Sequence, residues 1–163
     1  MIDTHSHIYD PPFATDIDEV VSRAREAGVR QVLLPNINAE SIAPMMALCA
    51  RHPAYLRPMM GLHPEDVKAD YPQVLDRMEA LLADPLHPYI AVGEVGLDYY
   101  WDKTCAAEQR QAFERQIGWA ERHGLPLMIH TRAAHADMVE VMSRHTATTG
   151  VFHCFGGTAD EAR

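Results

Sequence analysis

The sequence predicts an α/β fold with a parallel sheet, and it favours a TIM-like (β/α) barrel over an open, doubly wound sheet. Short apolar runs alternate with amphipathic stretches along the 163 residues, which is typical of repeated βα units. The turn after the first run, His5-Ser6-His7-Ile8-Tyr9, lacks the GxGxxG pattern of a dinucleotide-binding sheet. A full barrel needs eight units and about 250 residues, so we expect about six units here, with the C-terminal part absent.

The apolar runs predict six strands in one domain that spans residues 1–163. No Ser-rich or Gly-rich linker interrupts the alternation. The predicted strands are residues 2–7, 31–35, 56–62, 89–95, 127–131 and 150–155. The chain ends at Arg163, in what looks like the start of a further helix.

Five helices are predicted between the strands because apolar residues recur there at helical spacing. These residues are Ile17, Val20, Val21 and Ala24; Ile42, Met45, Met46 and Cys49; Val74, Met78, Leu81 and Leu82; Ala112, Phe113, Ile117 and Ala120; and Ala134, Met138, Val141 and Met142. Gly28 and Gly124 stand where a left-handed residue ends a helix. Asp16, with Glu19 three residues on, and Ser41 are predicted N-caps.

The charge balance bears on the kind of ligand the protein can bind. Fourteen basic and 23 acidic residues give a formal charge of −9, which excludes nucleic-acid binding through a broad basic surface. A phosphate ligand therefore needs a metal bridge or a local positive pocket. The sequence has no apolar run of about 20 residues and no signal-like start, so we expect a cytoplasmic protein with no membrane association. Its three cysteines are expected to be reduced thiols.

Four of the ten histidines and one glutamate indicate a site for divalent metal ions. His5 and His7 are two apart at the end of the first predicted strand, so their side chains share a face. Glu94 lies at the end of an otherwise uncharged strand, and the next two apolar runs end on His130 and His153. All strand ends of a parallel barrel meet at one mouth, where imidazoles and a carboxylate can bind metal. Alternatively, each is an ordinary core or loop residue that is hydrogen-bonded to the backbone.

Other polar residues are sorted by position. His52, His87, His123 and His145 lie at or just beyond predicted helix ends and are interpreted as structural, and His135 opens the fifth helix as a solvated residue. Three residues at the expected mouth are candidates for substrate contact: His63, Asp98 and Arg132. Alternatively, His63 packs within its loop, Asp98 forms a turn and Arg132 takes part in an ion pair. Tyr99, Tyr100 and Trp101 could stack on a base, although an aromatic cluster at the rim is the favoured interpretation.

Several segments together resemble the TatD-like metal-dependent hydrolases, within the amidohydrolase-like group of barrels. The segments are Ile2-Asp3-Thr4-His5-Ser6-His7, Gly61-Leu62-His63-Pro64, Val92-Gly93-Glu94-Val95-Gly96-Leu97-Asp98-Tyr99-Tyr100, Ile129-His130-Thr131-Arg132 and Phe152-His153-Cys154-Phe155-Gly156-Gly157. The resemblance covers the whole chain. It implies a seven- or eight-stranded barrel-type fold and metal-dependent hydrolysis, best known as deoxyribonuclease activity. Some relatives are thought to act on aminoacyl-tRNA esters.

The resemblance also implies roles for individual residues. His5 and His7 would bind one divalent ion (Mg, Mn or Zn), His130 and His153 a second, and Glu94 would bridge the two. Glu94, His130 and His153 would then be catalytic, because paired ions activate water and stabilise the attacking and leaving oxygens. Relatives have a further Asp ligand near the last strand, which these 163 residues lack. We therefore expect an N-terminal portion of a longer protein, or a chain that assembles with another copy.

Three functions remain open at this point. The favoured one is a two-metal deoxyribonuclease with DNA as its substrate and no dedicated protein partner. The second is a related barrel hydrolase that cleaves a carboxylic ester, lactone or amide. Some such enzymes bridge their metals with a carboxylated lysine, so Glu94 favours the nuclease. The third is a non-catalytic metal-binding fragment, suggested by the missing acidic ligand.

Overall fold

The computed structural model describes residues 1–160, and within this range six strands alternate with five helices. The strands are β1 (Ile2–Asp3), β2 (Gln31–Leu34), β3 (Leu56–Pro58), β4 (Val92–Asp98), β5 (Leu127–Arg132) and β6 (Gly150–His153). The helices are α1 (Ile17–Glu26), α2 (Ala39–Arg51), α3 (Tyr71–Leu82), α4 (Ala106–His123) and α5 (His135–Met142). The α/β prediction is confirmed. The helix expected at the end of the chain falls on residues 161–163, outside the described part.

The strands run parallel and follow one another in sequence order. β1, β2 and β3 pair in that order, as do β4, β5 and β6. A bridge between Met60 and Val92 joins the two sheets, and the amide of Ile90 donates to the carbonyl of Pro58 at 3.0 Å. The six strands therefore form one continuous layer, part of a (β/α) barrel, and their carboxyl ends lie on the same side.

The helices cover this layer through the apolar faces that the sequence predicts, except that Leu81 of α3 is exposed. In α4, Phe113, Ile117 and Trp119 are completely buried. Gly124 ends α4 in the left-handed conformation (φ 63°), as predicted. No helix among residues 1–160 combines the length and the apolar character that a membrane span requires.

The N-cap prediction for Ser41 is wrong by three residues. Asn38 caps α2: its side chain accepts from the amide of Ser41 at 3.0 Å, and the Ser41 hydroxyl accepts from the amide of Asn38 at 3.0 Å. Ser41 is thus the reciprocal partner in a capping box. Asp16 does occupy the N-cap position of α1, but its side chain makes no capping bond and lies 3.5 Å from Arg23.

All six predicted strands have different bounds in the structure. β2 and β5 differ by one residue at their ends, β3 ends at Pro58 instead of residue 62, and β6 ends at His153 instead of residue 155. β1 ends at Asp3, because after it only the amide of Ser6 bonds to the neighbouring strand, through the carbonyl of Leu33. β4 runs from Val92 to Asp98 instead of 89–95. Its late end depends on Gly96, where an added Cβ would lie 2.0 Å from the carbonyl oxygen of His130. This close approach allows Gly96 and the two residues after it to pair with β5.

Candidate metal centre

The five predicted ligands converge at the carboxyl end of the strands. His5 and His7 come from the segment after β1, Glu94 lies inside β4, and His130 and His153 lie in β5 and β6. They line a cavity of about 630 Å³, together with His63 and Arg132 from the group of expected substrate contacts. The structure therefore brings together side chains that are 148 residues apart in sequence, from His5 to His153.

Glu94 is the centre of the cluster and is 3% exposed. Its Oε2 lies 3.1 Å from Nε2 of His5 and 3.3 Å from Nε2 of His7. Its other oxygen, Oε1, lies 3.0 Å from Nδ1 of His130 and 3.7 Å from Nε2 of His63. The two oxygens of one carboxylate thus face two different pairs of imidazoles.

Two groups of donor atoms in this cluster are close enough to hold a cation. One consists of His5, Glu94 and His153, and the other of His63, Glu94 and His130; within each, the donor atoms lie within 4.8 Å of one another. His153 stacks on His5 with ring centroids 3.5 Å apart. This grouping differs from the pairing of His153 with His130 that the family resemblance implies, and that pairing stays a prediction.

The donor set fits a divalent cation. The Nε2 atoms of His5 and His7 lie 3.0 Å apart, and both approach the same carboxylate oxygen. Lone pairs that converge in this way repel one another unless a proton or a cation lies between them. Imidazole nitrogen and carboxylate oxygen are also the usual protein ligands of zinc and related metals.

The charge state of the cluster follows from its neighbours. Burial raises the pKa of Glu94, but hydrogen bonds from His130, His5, His63 and His7 outweigh it and hold the pKa well below its usual range. Burial lowers the pKa of His130, but hydrogen bonds to Glu94 and Asp98 outweigh it and raise the pKa. For His153, burial and the charge of His5 lower the pKa. Glu94 is therefore ionised and able to act as a ligand.

Asp98 lies behind His130. Its Oδ2 is 2.7 Å from Nε2 of His130, and its Oδ1 accepts from the amide of Tyr100 at 2.9 Å. From α4, the side chain of Gln109 accepts from the amide of Asp98 and donates to its carbonyl, at 2.9 and 3.0 Å. Asp98 is 2% exposed and does not line the histidine cavity, so its position does not favour the expected substrate contact.

Tyr9 and Asn36 support the site, and the sequence analysis assigned neither. The hydroxyl of Tyr9 lies 2.8 Å from Nδ1 of His7 and donates its proton to the carbonyl of Pro35. The completely buried Asn36 pairs its backbone with the peptide of Glu94, with its amide donating to Gly93 and its carbonyl accepting from Glu94. The signal for Tyr9 was its spacing: it follows His7 by two residues, as His7 follows His5.

Arg132 reaches the same cavity from the end of β5. Its guanidinium lies 3.7 Å from the ring centroid of Tyr100 and 5.4 Å from that of Trp101. Within residues 1–160 it has no carboxylate partner. Tyr100 and Trp101 are exposed, whereas Tyr99 is buried and donates to Asp137 at 2.9 Å. Tyr100 and Trp101 therefore lie beside Arg132 at the rim of the cavity, and both are accessible to a ligand.

The histidines interpreted as structural lie away from the cavity. His52 ends α2 and lies 3.5 Å from Asp18, and His145 lies 3.1 Å from Glu121. His123 is the last residue of α4, His87 lies in the loop after α3, and His135 opens α5 beside Phe155. The three cysteines are free thiols; of these, Cys49 is buried and Cys154 lines the cavity.

Comparison with known proteins identifies the family. The family model described as TatD related DNase matches residues 2–163. The chain belongs to the TatD family. The crystal structure of YjjV, a TatD homologue from Escherichia coli K12, superposes with a TM-score of 0.90 and 32% identity, covering 99% of this chain and 62% of that one. The partial TIM-like barrel is therefore confirmed.

Curated relatives show similar coverage. YabD of Bacillus subtilis, an uncharacterized metal-dependent hydrolase, is 32% identical over 165 residues, which is all of this chain and 64% of the relative. TatD of Edwardsiella piscicida, a 3′-5′ ssDNA/RNA exonuclease, is 32% identical over 163 residues, or 99% of this chain and 62% of the relative. This TatD chain thus spans less than two thirds of the length of these relatives.

Proposed function

We propose that this chain carries the metal centre of a hydrolase that cleaves phosphodiester bonds of DNA with water as the nucleophile. The observation that carries the proposal is the geometry of Glu94, whose two oxygens face separate pairs of imidazoles. A carboxylate placed in this way can bridge two divalent ions. The relative from Edwardsiella piscicida, named as a 3′-5′ ssDNA/RNA exonuclease, supports nucleic acid as the substrate class.

The residues of the cavity divide into ligands and substrate contacts. We assign His5, His7, Glu94, His130 and His153 as ligands. When bound, a pair of divalent ions lowers the pKa of water and stabilises charge on the attacking and leaving oxygens. Of magnesium, manganese and zinc, the majority of imidazole donors favours zinc. The ions also supply the positive potential that a chain with a formal charge of −9 needs in order to bind phosphate.

We assign His63 as a hydrogen-bond donor to substrate. Its Nδ1 accepts from the amide of Glu65 at 3.2 Å. A neutral imidazole that accepts at one nitrogen carries its proton on the other, so Nε2 of His63 has an N–H directed toward Glu94 and the cavity. This N–H can donate to a phosphate oxygen. The hydrogen bond from Glu65 therefore favours His63 as a donor to substrate over His63 as a metal ligand with Glu94 and His130.

Arg132 supplies the second substrate contact. Its planar face is stacked on Tyr100, which leaves the N–H edges of the guanidinium available to a ligand in the cavity. Arg suits phosphate because it can donate two parallel hydrogen bonds. The exposed ring of Trp101 beside it can stack on a nucleobase.

The test is Glu94→Ala in the whole protein, assayed for manganese-stimulated release of nucleotides from single-stranded DNA. We expect a loss of at least about a hundredfold, because the variant removes the carboxylate that the ligands His5 and His7 share with the ligand His130. His145→Ala is the matched control, since His145 pairs with Glu121 outside the cavity, and its activity should stay within about twofold of wild type. Full activity in Glu94→Ala would refute the proposal.

Native mass spectrometry with manganese added complements this assay, since it counts bound ions and chains in one measurement. Two ions per chain in wild type and fewer in Glu94→Ala would agree with a bridging carboxylate. Tight metal binding without turnover on DNA, combined with hydrolysis of carboxylic esters or lactones, would replace the nuclease with the second hydrolase function.

A further inference from the structure

We propose that Asp98 and Tyr9 are positioning residues that determine which ring nitrogen of His130 and of His7 binds metal. The inference rests on the proposed metal centre and assigns a role to two residues outside its set of ligands. A neutral imidazole carries one proton, so a group that accepts this proton at one nitrogen leaves the lone pair on the other. Asp98 contacts His130, which lies against Oε1 of Glu94, and Tyr9 contacts His7, which lies against Oε2.

Asp98 fixes the tautomer of His130. A carboxylate only accepts hydrogen bonds, and its Oδ1 already accepts from the amide of Tyr100. Oδ2, at 2.7 Å, therefore accepts the Nε2–H of His130. Without metal, Nδ1 of His130 donates to Oε1 of Glu94, 3.0 Å away. When a metal ion binds and the ring is neutral, Nδ1 gives up this proton and supplies the lone pair. This is the carboxylate–histidine–metal arrangement in which an outer carboxylate orients a ligand ring.

Tyr9 fixes the opposite tautomer of His7. The phenol has one proton, which it donates to the carbonyl of Pro35. Toward Nδ1 of His7, 2.8 Å away, the phenol oxygen can then only accept. His7 therefore carries its proton on Nδ1 and its lone pair on Nε2, the atom 3.3 Å from Oε2 of Glu94. Both lone pairs thus face Glu94, although the two rings use different nitrogens.

Both positioning groups are themselves held in place. The side chain of Gln109 binds the amide and the carbonyl of Asp98, so the backbone that carries the carboxylate is fixed to α4. Tyr9 is 8% exposed, and its hydroxyl bonds to the segment after β2. A positioning group is effective only when its own orientation is determined, and both residues meet this condition.

Asp98→Asn is the decisive variant because it keeps the shape and reverses one hydrogen bond. With the amide of Tyr100 still donating to the side-chain oxygen, the new NH₂ group faces Nε2 of His130. That group donates, so the proton of His130 moves to Nδ1, where it blocks the lone pair that faces Glu94. We expect zinc affinity, measured by calorimetry on the whole protein, to fall between tenfold and a hundredfold.

Asp102→Asn is the matched control for this variant. Asp102 makes the same kind of Asx contact as Asp98, accepting from the amide of Thr104 at 2.8 Å, but it contacts no histidine. Its zinc affinity should equal that of wild type. An Asp98→Asn protein that melts at the wild-type temperature and binds zinc as tightly as wild type would overturn the role of Asp98.

Tyr9→Phe tests the other side of the site. The variant removes the acceptor for Nδ1–H of His7 and keeps the ring, and we expect zinc affinity to fall by about threefold to tenfold. Tyr71→Phe is its control, because the hydroxyl of Tyr71 donates to Gln111 away from the cavity. Equal affinities in Tyr9→Phe and Tyr71→Phe would remove Tyr9 from the proposal.

Nitrogen NMR of the wild-type protein with zinc tests the proposal even if a variant fails to fold. We expect His130 with zinc on Nδ1 and a proton on Nε2, and His7 with the reverse. The opposite assignment for either ring overturns its part of the inference while leaving a metal centre intact. Failure of the wild-type protein to bind zinc or manganese would instead refute the proposed function, and the inference with it.

Discussion

The two three-stranded halves of the sheet contribute to the site in different ways. In the first half, β1, β2 and β3 are two, four and three residues long, and the site residues His5, His7 and His63 all follow a strand. In the second half, β4, β5 and β6 are seven, six and four residues long, and Glu94, His130 and His153 lie within them. In the second half the geometry of the strand sets the direction of the site side chains. In the first half individual hydrogen bonds set it.

Helix α4 serves both halves through two buried glutamines that lie seven residues apart. Gln109 binds the amide and the carbonyl of Asp98 in β4, and Gln116 binds the same two groups of Leu62, at 2.7 and 3.3 Å. Leu62 directly precedes His63. The backbone of the loop after β3 is thus fixed by a side chain, Gln116. The backbone of β4 is fixed both by a side chain, Gln109, and by pairing with β5.

The largest effect on stability is expected from Gly96→Ala in the second half. The new methyl group would lie 2.0 Å from the carbonyl oxygen of His130, and φ is +143°. Because β4 and β5 must separate to admit it, we expect the free energy of unfolding in urea to fall by about 3 kcal/mol or more. Such a variant would show how far the second half depends on close strand contact.

Gly28→Ala in the first half is the matched control for Gly96→Ala. Gly28 also has positive φ, +84°, but no atom lies within 4 Å of the added methyl group. Only the cost of the left-handed backbone remains, about 1 kcal/mol. If the two variants lost equal stability, the close approach of β4 to β5 would not be what limits position 96.

The glutamine pair provides a direct comparison of the two halves with a smaller effect. Gln109→Leu and Gln116→Leu each leave a buried amide and carbonyl without their side-chain partner, and each should lower the free energy of unfolding by about 2 kcal/mol. Only Gln109→Leu should also weaken zinc binding measured by calorimetry, because it releases Asp98 behind His130. Equal zinc affinities in the two variants would contradict this division of roles.

The smallest effect concerns an ion-pair network that joins α3 to α4. Burial raises the pKa of Glu79, but hydrogen bonds from Arg115 and the charges of Arg115 and Arg122 outweigh it, so the pKa is lowered. The carboxylate therefore stabilises the fold above its unfolded pKa near 4.5, and this contribution is lost as the pH falls through the folded value.

Glu79→Gln measures that contribution. Since Glu79 and Arg115 are each about one third exposed, solvent screens the interaction, and we expect a loss of at most about 1 kcal/mol in urea at pH 7. Below pH 4.5 the difference between variant and wild type should shrink toward zero. A difference that stayed constant across this range would indicate that packing of the side chain, and not its charge, is responsible.

The sequence was more informative about the second half than about the first. Apolar runs that end on His130 and His153 predicted both strands and the convergence of the two side chains, since a strand fixes direction by alternation. The same reasoning placed His5 and His7 correctly at one mouth but assigned them to a strand that ends at Asp3. Their orientation depends on individual hydrogen bonds. The ring of His7, for example, bonds to the hydroxyl of Tyr9, which is itself held by the carbonyl of Pro35 from another segment.

Other features escaped prediction because they depend on tertiary hydrogen bonds. Asp98 carries no local signal that distinguishes a partner of His130 from a turn residue or a substrate contact. Gln109 and Gln116 did carry a signal, since both are polar residues on the apolar face of α4. A buried amide at such a position must bond to something, but periodicity alone does not specify which backbone segment it meets.

The placement of the two tryptophans gives the protein an optical property that follows from the fold. Trp119 is completely buried in α4, whereas Trp101 is 72% exposed beside Arg132 at the rim of the cavity. The fluorescence of the chain therefore has one component emitted from an apolar interior and one emitted from a solvated indole next to a cation. A ligand that reaches the rim changes the second component and leaves the first as an internal reference.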